Sequence, residues 1–186
     1  TVATTSSENR NNWKSAITEA AFMTGLERNG DVVPMASYAP LMAHVDAWQW
    51  KPDEIWFDNL RSFGTTDYYV QQLFATNVGT RIVPVTPHAE AGLYTSASLD
   101  ERTHELIVKA INYAPTPRSA EIRLNGIHPS GTAKVITLES ADLNLENSFD
   151  HPTALAPQSS TLDVRSETIP VELRPYSVNV YRIPAH

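Results

Sequence analysis

The stretch ITEAAFMTGLERNGDVVPMASYAP, residues 17–40, sets the reading of the fold. Its first half has the small and apolar spacing of a helix, and Ala16, Ala20, Ala21 and Gly25 would let that helix approach a sheet closely. Asn11 or Asn12 can cap its start, Arg28 suits its last turn, and Gly30 suits a left-handed stop. The run DVVPMASY then reads as a short strand without alternation, as in a parallel sheet covered on both faces, although Pro34 weighs against a central position. This is one helix-to-strand step of an α/β protein, and the rest of its sheet must be sought elsewhere.

At 186 residues and 41% hydrophobic content the chain can build a core. A formal net charge of −7, with acids spread along the length, argues against a nucleic-acid surface, which needs clustered Lys and Arg. No apolar run approaches the roughly 20 residues that span a bilayer, and the N-terminal TVATTSSENR is polar, so no membrane contact is expected. With no cysteine there is no disulfide, no thiolate nucleophile and no thiolate zinc site. The chain begins at Thr1, which leads us to expect a piece of a longer polypeptide.

All four tryptophans, Trp13, Trp48, Trp50 and Trp56, lie in the first third, and the patterning changes near Gly79. Before it, a loop from Ala39 to Glu54 leads to IWF. A second helix, DYYVQQLFATN, follows, with Thr65 or Thr66 as cap and Asp67 at its positive end. After it the period becomes two: in SAEIRLN, Ala120, Ile122 and Leu124 alternate with Glu121 and Arg123. HELIVKAINY, AKVITLE and SVNVYRI are similar runs, LDERT and LNGIHPSG supply turns, and FDHPTALAPQSST reads as loop. Short strands between Pro and Gly turns predict an antiparallel sandwich.

The segments EAAFMTGLERNGDVVPMASYAPL, WFDN, TTDYYVQQLFATNVG, NSFDHPTALAP and LRPYSVNVYRI resemble α-L-arabinofuranosidases of glycoside hydrolase family 51, in their eukaryotic branch. The resemblance implies a fold of class α/β plus all-β. Residues 1–80 would form the last segment of a catalytic (β/α)8 TIM barrel, and residues 81–186 an antiparallel β-sandwich. A whole barrel needs about 250 residues, so its other strands are expected on an upstream polypeptide of the same enzyme, to which this chain would stay tightly bound. The family's retaining mechanism uses two glutamates about 5 to 5.5 Å apart. Its nucleophile sits in a Gly-Glu-Tyr-type motif before the helix that here begins near Trp13, and this sequence has no such motif. No catalytic residue is therefore expected in this chain. Glu8, Glu19 and Glu27 are not substitutes, since solvated or ion-paired structural roles suit Glu19 and Glu27 on an outer barrel helix. The family also implies an arabinose-containing polysaccharide or oligosaccharide as substrate and secretion to the extracellular space; no cofactor and no metal are expected, since no Gly-rich loop opens a helix.

What the chain would contribute is one wall of the pocket, because barrel enzymes build their sites at the C-terminal strand ends and the loops beyond. The substrate-binding candidates are Ser37 and Tyr38 at the strand exit, and His44, Asp46, Trp48, Gln49 and Trp50 in the loop. They offer hydrogen-bonding groups for furanose hydroxyls and aromatic faces for its C–H surface. Packing of the Trp pair against the barrel rim and loop bracing by His44 and Asp46 compete with that role. Trp56, Phe57, Tyr68, Tyr69 and Phe74 suit a core, and Asp58 and Asn59 suit a turn. The histidines, His44, His88, His104, His128, His151 and His186, lack zinc-site spacing. The alternative function is a non-catalytic carbohydrate-binding or structural β-sandwich module; for binding, residues 81–186 offer no Trp and only five aromatics, Tyr94, Tyr113, Phe149, Tyr176 and Tyr181.

Overall fold

The computed structural model describes residues 10–86 and 90–185; Glu8, His88 and His186 lie outside the described residues. Among the described residues two helices, α1 (Trp13–Arg28) and α2 (Thr66–Thr76), accompany eleven strands. Three short strands, β1 (Met42–His44), β2 (Ile55–Phe57) and β3 (Ser62–Gly64), form a small sheet between the helices in sequence. The remainder are β4 (Arg81–Ile82), β5 (Leu93–Asp100), β6 (Glu105–Asn112), β7 (Arg118–Arg123), β8 (Thr132–Glu139), β9 (Gln158–Asp163), β10 (Thr168–Leu173) and β11 (Ser177–Pro184). Six of them make one antiparallel sheet in the order β4-β5-β6-β11-β8-β9, and β10 pairs with β7 apart from it.

Both helix starts follow from their caps. The Asn12 side chain accepts from the Ser15 N–H at the head of α1, and Thr65 accepts from Tyr68 at the head of α2. The end of α1 differs from expectation: Asn29 is the cap, with φ −107°, and Gly30 is not among the glycines with positive φ. The Asn29 side-chain amide donates to the Gly25 carbonyl at 2.7 Å, so the last turn closes without a left-handed residue.

The six-stranded sheet is apolar on both faces, which explains why β6 and β11 do not alternate in sequence. One face carries Ile107, Ile111, Ile136, Leu138, Val178 and Val180 and packs on Trp13, Ile17 and Ala20 of α1 and Val70 and Phe74 of α2. The other face carries Leu106, Val108, Val135, Tyr181 and Ile183 and packs on Ile169 and Leu173 of β10 and on Leu124 and Val164. The β7–β10 pair keeps the half-buried alternation seen in SAEIRLN because only one of its faces is covered. Burial raises the Tyr181 hydroxyl to about 12.

Helices and sheet are latched at several points. Trp13 is fully buried; its backbone N–H donates to the Leu145 carbonyl at 2.9 Å, and its indole N–H to the Tyr176 carbonyl at 3.0 Å. In NSFDHPTALAP, Asn147 donates to the carbonyls of Gly64 and Leu155 and accepts from the Leu155 N–H, while Phe149 packs edge-on against Phe63. That segment therefore braces β3 against the sandwich. Gly64 is required by a close approach: a Cβ there would lie 2.2 Å from Cδ1 of Tyr68. Gly64→Ala is expected to cost about 1–3 kcal/mol by overpacking, read in thermal denaturation, and a Tyr68→Ala background should recover part of the loss.

Two expectations are corrected. DVVPMASY forms no strand: residues 33–38 are unpaired, Pro34 offers no N–H, and Val32 and Met35 are 72% and 84% exposed. The segment lies over a groove of about 490 Å³ shared with Leu26, Phe74 and Ile82, a face open among the described residues. The loop from Ala39 to Glu54 also holds a strand, since β1 pairs in parallel with β2, with Ala43 opposite Trp56.

Candidate functional site

The parallel β1–β2 pair holds the two ends of the 39–54 loop side by side. The Val45 N–H donates to the Phe57 carbonyl at 3.0 Å and the Ile55 N–H to the Leu41 carbonyl at 2.9 Å. Beyond β2, Asp58 accepts from the N–H groups of Leu60 and Arg61 and pairs with the Arg61 guanidinium, which closes the turn into β3. Those backbone donors, with the guanidinium beside them, hold the Asp58 carboxyl below the usual range.

On this base the seven substrate-binding candidates divide. Asp46, Trp48, Gln49, Trp50 and Ser37 are exposed, with Trp48 and Trp50 each at 42%. Trp48 meets Trp56 edge-on at 6.3 Å, and Lys51 lies over the Trp56 ring at 5.7 Å, so one end of the aromatic group is braced and the other is free. His44 is a brace. Its Nδ1 accepts from the Asp46 N–H at 3.1 Å, which leaves the proton on Nε2, facing Asn59 Oδ1 at 3.4 Å, and its ring packs edge-on against Phe57. Tyr38 is half-buried, and its hydroxyl accepts from the Asn11 side chain at 3.3 Å. The structure thus gathers Trp48, Gln49 and Trp50 on an exposed loop tip and ties Tyr38 to a different neighbourhood.

That neighbourhood is a carboxyl junction which sequence reading missed. Asn11, read there only as a helix cap, donates to Asp67 at 3.2 Å and accepts from the Asp53 N–H at 3.1 Å. Ser15 donates to the other Asp67 oxygen at 3.0 Å, and Gln71 donates to Glu19 Oε1 at 2.5 Å. Glu54 and Asp67 are each only 1% exposed. Oxygens of Asp53 and Glu54 have no hydrogen-bond partner, the Glu19 and Asp67 carboxyls hydrogen-bond each other, and none of the four acids forms an ion pair among the described residues. Burial, with the Asp67 charge adding to it, pushes Glu19 and Glu54 up to about 8, and burial raises Asp67 as well. Tyr38 is driven up by its own burial and by Asp67. The one legible signal was three acids, Asp53, Glu54 and Asp67, close to helix and strand starts; the convergence of Glu54 and Asp67 on Glu19 needs the packing of α1 on α2.

Glu27 is ion-paired as the sequence suggested, with Lys109 on the sheet. Among the described residues no group of three or more His, Cys, Asp or Glu side chains could hold a metal ion, and no helix is long and apolar enough to cross a membrane.

Residues 2–177 match the family described as the alpha-L-arabinofuranosidase C-terminal domain. Alpha-L-arabinofuranosidase 1 of Arabidopsis thaliana is 31% identical over 175 residues, covering 90% of this chain and 26% of that protein. Alpha-L-arabinofuranosidase A of Aspergillus niger is 36% identical over 172 residues, covering 91% of this chain and 26% of that protein. A Streptomyces chartreusis extracellular exo-alpha-L-arabinofuranosidase is 60% identical over 74 residues, 40% of this chain and 9% of that protein. Among solved structures, an arabinose-bound MgGH51 α-L-arabinofuranosidase superposes with a TM-score of 0.87 at 32% identity, over 94% of this chain and 28% of its own. A Thermotoga maritima α-L-arabinofuranosidase, at 20% identity and TM-score 0.77, over 92% of this chain and 38% of its own, shares the fold. The chain thus spans about a quarter of the length of the Arabidopsis and Aspergillus relatives. With the helix-capped sheet and its bracing segment matched across nearly the whole sequence, the chain belongs to the alpha-L-arabinofuranosidase C-terminal domain family, within glycoside hydrolase family 51.

Proposed function

We propose that this chain is the C-terminal portion of a retaining α-L-arabinofuranosidase, which releases terminal α-L-arabinofuranosyl residues from arabinoxylan or arabinan. Residues 1–80 complete a (β/α)8 barrel whose other strands, with both catalytic glutamates, lie on the upstream polypeptide. Residues 81–186 are the sandwich that braces it. The observation that carries this reading is the open face of the first part: Val32 and Met35 are exposed on a stretch without strand pairing and Phe22 is 67% exposed on α1, as expected of a barrel edge without its neighbours. The arabinose-bound relative, of which this chain covers 28%, supports the substrate class. The name of the Streptomyces relative favours an extracellular location for this protein too.

Within that enzyme the loop tip supplies one wall of the sugar pocket. Trp48 and Trp50 offer stacking faces and Gln49 hydrogen-bonding groups; Ser37 and Asp46 lie at the margin, and His44 and Tyr38 fix the loop and the strand exit. In the full-length protein, Trp48→Ala and Gln49→Ala should each lower kcat/KM on an aryl α-L-arabinofuranoside about tenfold, the equivalent of about 1.4 kcal/mol of lost transition-state binding. Unchanged kinetics in both variants would remove the loop from the pocket. Absence of any hydrolysis by the unaltered protein would remove the activity itself.

The binding-module reading is disfavoured by the aromatics of the second part. Tyr181 is buried, Tyr113 and Tyr176 pack on each other against the core, and Phe149 is held by Phe63 and Arg61. Tyr94, 41% exposed, is left alone and makes no platform.

A further inference from the structure

The tip of the exposed loop, residues 45–50, is held at its two ends by different contacts. At the far end Trp48 meets the Trp56 ring and Lys51 lies over that same ring. At the near end the hold is one side chain, His44, the last residue of β1. Its ring packs edge-on against Phe57 with centroids 5.2 Å apart, and Nδ1 accepts from the Asp46 N–H at 3.1 Å. Among the described residues no other side chain hydrogen-bonds the backbone of residues 45–50. Strand pairing ends at His44, so it gives the Asp46 amide no support.

That hydrogen bond exists in one protonation state only. A ring nitrogen accepts while it carries no proton; in the imidazolium both nitrogens donate, and an Nδ1–H would confront the Asp46 N–H. No neighbouring charge offsets the change. Asp46, on the loop itself, forms no ion pair with the ring, and the one histidine ion pair among the described residues is that of His128 with Glu167. From the β2–β3 turn, Asp58 is paired with Arg61, and Asn59, facing Nε2 at 3.4 Å, is neutral. Lys51, the cation at the loop's exit, is engaged with Trp56.

We propose that His44 is a proton-sensitive latch on the 45–50 loop tip: unprotonated it holds the tip through the Asp46 amide, and protonated it lets the tip go. Its bearing on sugar binding rests on the reading that this loop is a wall of the pocket. Once released, Trp48, Gln49 and Trp50 are ordered at the expense of sugar affinity. Binding therefore weakens as pH falls across the range, about 5 to 8, in which histidine side chains change charge.

The test compares the full-length protein with its His44→Asn and His44→Phe variants. Asparagine accepts from the N–H two residues on, as in an Asx turn, and does not titrate. Phenylalanine keeps a ring against Phe57 and never accepts. Two quantities are followed from pH 8 to pH 5: hydrogen exchange of the 45–50 amides without sugar, corrected for the intrinsic pH dependence of exchange, and KM on an aryl α-L-arabinofuranoside. The unaltered protein should lose protection in the loop, and its KM should rise about threefold to tenfold more than that of His44→Asn, the worth of one hydrogen bond. Taking the ratio between the two proteins cancels titrations elsewhere. His44→Asn should stay protected throughout and His44→Phe unprotected throughout. The proposal is overturned if protection in the unaltered protein is equal at pH 5 and pH 8, or if His44→Asn loses it to the same extent. A KM change with constant protection also overturns it and makes His44 a direct sugar contact. Protection that follows the expected course while KM stays level, or in a protein without arabinofuranosidase activity, upholds the latch and removes only the pocket reading.

Discussion

Glu27→Ala lowers stability by about 3–5 kcal/mol in equilibrium denaturation, the range for removing one partner of a buried ion pair. Lys109 lies in the centre of the sheet, on the face covered by the helices, and is 1% exposed. Its ammonium pairs with Glu27, donates to the Asn77 carbonyl at 2.6 Å and sits 4.9 Å over the Phe74 ring. Desolvation pulls the Lys109 pKa down and the Glu27 carboxylate opposes it. Deleting Glu27 leaves the desolvation unopposed, so the folded-state value drops further below the unfolded one. Below the folded value both states keep the proton and the defect is complete. As pH rises between the folded value and the unfolded one near 10.5, the unfolded chain binds more protons and the deficit shrinks. A Glu27→Met, Lys109→Met double variant should recover most of the loss, since it leaves neither charge unpaired. A loss below about 1 kcal/mol in Glu27→Ala alone would show that water reaches Lys109.

Glu27 also shows how far the sequence could be read. A partner for it was foreseeable in kind but not in identity, because Lys109 is 82 positions away and sits among ELIVKAIN, where a lysine suggests a solvent-facing position. Local chemistry was legible: Asn12 and Thr65 as caps, and the period of two in β7, whose outer face is open. What depends on who covers a face was not. In β9, QSSTLD looks like loop because its small and hydroxylic residues suit a largely exposed edge, and in β5 the small residues of LYTSASLD suit a close helix, with Ser96 hydrogen-bonded to Glu27. DVVPMASY has the composition of a covered strand but no strand beside it. At the candidate site the loop and its aromatic content were plain, whereas the engagement of His44 and Tyr38 with Asp46, Asn59 and Asn11 required the β1–β2 pairing and the junction beneath it.

Trp13→Ala is expected to cost about 3–5 kcal/mol and to loosen more than the helix it heads. The indole fills the space between α1 and the sheet, in one cluster with Ile111, Leu138 and Val178, and its removal also leaves the Tyr176 carbonyl without its donor. Trp13→Phe keeps one aromatic ring but loses the N–H and part of the indole's volume, so its cost should be smaller than that of Trp13→Ala. The more informative readout is hydrogen exchange. Ile107, Ile111, Val178 and Val180 share one face with the buried residues of α1 and α2, so a sheet that loses this cover exposes much of its apolar face. In Trp13→Ala the amides of β6 and β11 should therefore lose protection together with those of α1, as one cooperative unit. Undiminished protection in β6 and β11 while α1 alone exchanges would mean that residues 81–186 hold their structure without the helices. The helix-facing core is shared across residues 80 and 81, so we expect the coupled outcome: the sandwich needs the helices as its second cover, and the helices need the sheet as their floor.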